Sequence, residues 1–167
     1  MNISMYEASV PVFVRYLGNL KAILVKAMAH AEARKIDPAV LIGSRLFPNM
    51  LPLSRQVQLA SDMAKSAPSR LVGTEPPKFE DTESTFPQLL ERIDKTVAHL
   101  KSFQAGQFEA SEERAITVKT ARGPLEQKGL PYLTQFVLPN FLFHVTTAYD
   151  ILRHNGVELS KADYLGA

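Results

Sequence analysis

The chain has no cysteine and no tryptophan among its 167 residues. Without cysteine there can be no disulfide, no thiol nucleophile and no thiolate site for zinc or an iron–sulfur cluster. Excess charge is missing too. Nineteen Lys and Arg against seventeen Asp and Glu leave a formal net charge of +2, and no part of the chain is a basic or acidic arm. The electrostatic footprint of a DNA- or RNA-binding protein, or of one held on an acidic membrane surface, is therefore absent. No apolar run approaches the ~18 residues of a spanning helix. The start, Met1 to Glu7, has neither the basic residues nor the apolar stretch of a secretory signal. A soluble, cytoplasmic protein is the expectation. Motifs with a fixed chemistry are lacking as well: there is no phosphate-cradling glycine loop, no Gly-x-Ser-x-Gly elbow and no His-Glu-x-x-His helix.

What is present is apolar periodicity. A hydrophobic share of 46% suits a chain that buries a real core, in a length typical of one domain, here residues 1–167. From about Tyr6 to Lys35, the residues Val10, Phe13, Leu17, Leu20, Leu24, Met28 and Ala31 recur every three or four positions and form one stripe of a helix. Asp37-Pro38 can cap and open a short turn through Leu46. A second long helix is expected from Leu53 to Ala67, stopped by Pro68. Residues 68–85, rich in proline and acidic side chains, read as an extended surface connection. Thr85-Phe86-Pro87-Gln88 has the pattern of a capping box, opening a third helix that carries Leu89, Ile93, Val97, Leu100 and Phe103. Between residues 107 and 130 the pattern is irregular. Alternating Ala115 to Lys119, followed by the turn residues Ala121-Arg122-Gly123-Pro124, is consistent with a short β-hairpin lying on the helices. A last helix covers Pro131 to His154, kinked at Pro139 and closed by Asn155-Gly156. The fold class is all-α: an up-and-down four-helix bundle with a possible short hairpin between its third and fourth helices.

The candidate functional residues are polar side chains that helical projection places among apolar ones. His144 falls mid-arc between Val137, Phe141, Ala148 and Ile151; Asn140 borders that arc, and Gln56 projects into the arc of the second helix. Buried polar groups need partners, an unmade hydrogen bond costing about 1–3 kcal/mol. These three could form a structural cluster or line a binding site, and periodicity does not choose. His30, His99 and His154 project to stripe edges, other faces or a helix end, where surface or capping roles are expected. The acidic residues Glu75 to Glu83 and the pair Glu112-Glu113 read as solvated charge.

The run Leu138 to Gly156, LPNFLFHVTTAYDILRHNG, resembles the last helix of the DinB-like (DinB/YfiT-like) superfamily of bundle proteins. Further pieces, Arg45 to Met50 (RLFPNM), Pro52 to Val57 (PLSRQV), Ala60 to Lys65 (ASDMAK) and Pro139 to His144 (PNFLFH), are similar to one domain family of undefined role within it. The resemblance extends over nearly the whole chain. It implies a divalent metal, zinc or nickel, on three histidines, one from the second helix and two spaced four apart on the last. Counted back from Gly156, the second of that pair is His144, the first position holds Asn140, and the second-helix ligand falls near Gln56. Amides thus stand where two imidazoles would, and neutral amides are poor ligands for zinc or nickel. Two functions follow. One is a ligand-binding or structural bundle with a degenerate metal site, working as a homodimer. The other is a metal-dependent or His144-dependent enzyme, of transferase or hydrolase type, acting on a small molecule.

Overall fold

The computed structural model describes residues 3–120 and 123–167. Four long helices carry the fold: α1 (Val10–Arg34), α3 (Leu53–Val72), α4 (Phe86–Lys101) and α6 (Leu138–His154), with a short α2 (Pro38–Gly43) between the first two. The apolar stripes read from the sequence are the buried faces. Phe13, Leu17, Leu20, Leu24 and Ala31 of α1, Val57, Ala60 and Ala64 of α3, Leu89, Ile93 and Leu100 of α4, and Phe141, Ala148 and Ile151 of α6 join one core. None of the helices of the described residues is long and apolar enough to cross a membrane.

Contacting pairs give the direction of each helix and refine a simple alternation. Asp62 meets Arg92 and Ser69 meets His99, so α3 and α4 run parallel. Gln56 meets His144 and Arg70 meets Tyr132, so α3 runs against α6. Phe13 packs on Phe141 and His30 beside Gly156, so α1 and α6 run together. Parallel neighbours need a return connection, and residues 73–85 supply it. Thirteen residues reach about 40 Å when extended, against about 24 Å for the length of α4.

Local chemistry explains the element ends. Asp37 Oδ1 accepts from the backbone N–H of Ala39 to open α2, and Thr85 with Gln88 forms the reciprocal capping box of α4. Pro68 does not stop α3, which continues to Val72 and ends at the left-handed Gly73. The proline ring is itself buried, and the extra turn seats Leu71 fully in the core. Burying a leucine stabilises by about 1.5–3 kcal/mol, comparable to the ~3 kcal/mol cost of an interior proline.

The hairpin is present. β1 (Ala115–Thr120) pairs antiparallel with β2 (Gly123–Lys128), Ala115 opposite Lys128 and Thr120 opposite Gly123. Ile116 and Val118 turn inward on alternate positions. Of the expected turn, Ala121 and Arg122 lie outside the described residues. The chain re-enters the bundle through one turn, α5 (Gly129–Pro131), and a π-helical segment, Tyr132–Val137, which runs directly into α6. Pro139 therefore falls at the junction of the π segment and α6, where its missing N–H withdraws one bond from a continuous helical run. A final short helix, α7 (Lys161–Leu165), was not expected from the sequence. It is tied to α1 by Asn19 and Arg15, which donate to the carbonyls of Tyr164 and Leu165, and by a Lys26–Asp163 ion pair.

Candidate functional site

Gln56 lies in the first turn of α3 and is 2% exposed; His144 faces it from α6, half-buried. The imidazole Nδ1 is 2.8 Å from the Gln56 Oε1. The amide cannot be turned over, because its Nε2 donates to the Leu51 carbonyl at 3.0 Å. The carboxamide oxygen thus faces the ring, and Nδ1 must carry the proton it donates. The neutral tautomer that results leaves a lone pair on Nε2. Burial lowers the His144 pKa, and the nearby Arg55 guanidinium lowers it further. The ring is uncharged at neutral pH. Phe143, 54% exposed, meets it edge to face, and exposed Leu51 lies at the other end of the relay.

Asn140 is not part of this pair. Its side-chain nitrogen donates to the Phe136 carbonyl, one turn back on its own helix, at 2.6 Å. There it secures the junction between the π segment and α6. The structure therefore brings together two of the three residues singled out in the sequence. This donor set does not fit a zinc or nickel ion. It offers one imidazole, whose Nδ1 is committed to Gln56, and an amide oxygen that already accepts that bond. Among the described residues, no group of three His, Cys, Asp or Glu side chains is placed to hold a metal. Zinc sites take at least three protein ligands, drawn from nitrogen, thiolate and carboxylate.

The other histidines separate differently from expectation. His154 is exposed, and His30 is half-buried beside Gly156. His99 is not a surface residue. Its Nε2 lies 3.1 Å from the Oγ of buried Ser69, and its ring meets Phe103 edge-on. The projection failed because α4 is parallel to α3, which covers the face carrying His99. The pair resembles a nucleophile and its base but is wired the other way. Ser69 donates to the Lys65 carbonyl at 3.0 Å, so its oxygen accepts from the ring and is not activated. Burial lowers the His99 pKa; a hydrogen bond to the Lys65 backbone opposes the shift, and the Lys65 ammonium adds to it.

The largest polar feature was missed. Arg92 of α4 has a side chain only 1% exposed and pairs with Asp62 at 2.8 Å, Asp81 at 3.0 Å and Glu83 at 3.0 Å. It also donates to the Glu80 carbonyl at 3.0 Å. Lys65 joins through Asp62, Arg55 through Asp81, and Gln58 through Glu83. Phe79 lies over both Lys65 and Arg92. Part of the acidic group expected to be solvated is instead the anchor that holds residues 79–83 across the α3–α4 seam. A signal existed: Arg92 sits beside Ile93 on the apolar arc, a buried cation that required carboxylates. Glu113, by contrast, makes an exposed pair with Lys128. Tyr149 packs on Tyr164, and burial raises the Asp150 pKa.

These features define a DinB-like four-helix bundle in which an imidazole–amide pair bridges two helices. The family model described as a domain of unknown function, DUF1993, matches residues 5–165. The chain belongs to that family. It is also similar to a DinB family member protein from Shewanella denitrificans, known from a crystal structure. The two are 41% identical with a TM-score of 0.90, over 98% of this chain and 92% of that one. Among the curated proteins none matches.

Proposed function

We propose that this protein is a metal-independent binding bundle in which His144 presents a neutral Nε2 acceptor to a small polar ligand. The observation that carries the reading is the relay from the Leu51 carbonyl through Gln56 to His144, which fixes the tautomer and leaves Nε2 as a single imidazole acceptor, with no group of three metal-ligating side chains among the described residues. A homodimer belongs to the same proposal, supported by exposed Leu51 and Phe143 flanking the pair. So does a cytoplasmic location, which cell fractionation reads. The test is metal analysis of purified protein with thermal melting before and after chelation. Substoichiometric metal and an unchanged Tm are expected. One zinc or nickel per chain, lost with a fall in Tm on chelation, would overturn the reading.

A second reading, a His144-dependent enzyme, is favoured by one feature: an uncharged imidazole with a free lone pair is suited to accept a proton near neutral pH. A hydrolase or transferase activity abolished in His144→Ala at unchanged fold would select it over simple binding.

A further inference from the structure

A second concavity lies apart from His144. Where α1 ends and α2 and α4 begin, a cavity of about 690 Å³ opens to solvent. That volume falls in the range of small-molecule sites, ~300–1,000 Å³. Its floor is apolar. Ala31, Ile42 and Phe86 are buried there, and Met28 and Ile36 are half-buried.

Its polar groups argue against an anion. The start of a long helix such as α4 ordinarily attracts negative charge through its unpaired N–H groups. Here Thr85 Oγ1 accepts from the Gln88 N–H, and Gln88 Oε1 accepts from the Thr85 N–H at 3.0 Å. In α2, Asp37 Oδ1 accepts from the Ala39 N–H at 2.9 Å. The charged side chains at the rim are Glu32 and Asp37 against a single Lys35, so the mouth carries no positive potential. What remains to reward a ligand is burial of apolar surface and dispersion contact with the floor. Unbranched Met28 can adapt to an irregular shape.

We propose that the cavity bounded by Met28, Ala31, Ile36, Ile42 and Phe86 is a binding site for an uncharged, predominantly apolar small molecule. It is independent of the His144 relay, so the two readings stand or fall separately.

The test uses Nile red, an uncharged polarity-sensitive dye, and cis-parinaric acid, an anionic one, on the whole chain. Nile red is expected to saturate at one per chain and to shift the methyl signals of Met28, Ile36 and Ile42 in the unmodified protein. Ala39→Trp, which places an indole at an exposed position on the cavity wall, is expected to weaken Nile red at least about tenfold with no loss of melting temperature. A Phe47→Ser/Leu130→Ser double variant, which removes two exposed apolar side chains outside the cavity and the His144 relay, should bind as before. Absence of saturable binding, methyl shifts elsewhere, loss of binding in the double variant, or parinarate binding as tight as Nile red would each overturn the proposal.

Discussion

Gln56 and His144 face each other across the α3–α6 seam, with the carboxamide oxygen 2.8 Å from the ring Nδ1. Because Leu51 takes the amide nitrogen, the imidazole is the donor and its second nitrogen is unprotonated. Nitrogen-15 NMR of the ring is expected to show Nδ1 protonated and Nε2 bare at pH 7, with a pKa below the ordinary value of about 6.5. Gln56→Leu removes the acceptor and should let the ordinary Nε2–H tautomer appear.

The same burial has a thermodynamic consequence. His99 and His144 both have folded-state pKa values below their unfolded ones. As pH falls through about 6.5 the unfolded chain takes up protons first, so stability declines until the folded pKa values are passed. Asp150, with a raised pKa, acts with the opposite sign at lower pH. Urea midpoints should therefore fall between pH 7.5 and 5.5. The slope should flatten in His99→Ala and in His144→Ala, each of which also lowers the midpoint at pH 7.5 by leaving a partner unpaired.

Arg92 is the electrostatic keystone of the α3–α4 seam. Arg92→Met leaves Glu83, Asp62 and Asp81 without their shared cation. Breaking a buried ion pair costs about 3–5 kcal/mol, and partial exposure of the two aspartates places this case near 3. Adding Glu83→Gln should cost less than the sum of the single changes, a coupling that a double-mutant cycle in urea measures.

Gly129 sits where the hairpin meets the bundle, and a Cβ there would lie 1.9 Å from the Ser111 carbonyl oxygen. Both atoms within 3.0 Å belong to the Ser111 backbone, so backbone must move. Gly129→Ala is expected to cost about 1–3 kcal/mol. Faster amide exchange in β1 and β2 than in the long helices would show the hairpin loosening first.

Much of the architecture was legible because helical burial writes itself as a period of 3.6. The stripes of α1, α4 and α6, the Thr85–Gln88 box and the Asp37 cap are all local patterns whose partners lie within a few residues. What periodicity cannot carry is direction and long-range pairing. Nothing local says that 73–85 runs back along the bundle, so the parallel α3–α4 seam, the half-burial of His99 and the carboxylates around Arg92 stayed hidden. Pro68 misled because its local cost is offset by the burial of Leu71 one turn on. Of the candidate site, the inward facing of Gln56 and of His144 was legible in two projections, but their contact across the seam was not. Asn140 bordered the same arc but spends its amide on the Phe136 carbonyl, a demand created by the π segment that no stripe reveals.

The ring nitrogen spectrum of His144, recorded with and without equimolar zinc, is the most direct probe of the central claim. A metal-independent pair predicts a protonated Nδ1 and a bare Nε2 whose shifts are unchanged by the ion. A zinc-induced shift of Nε2 at one equivalent would contradict it.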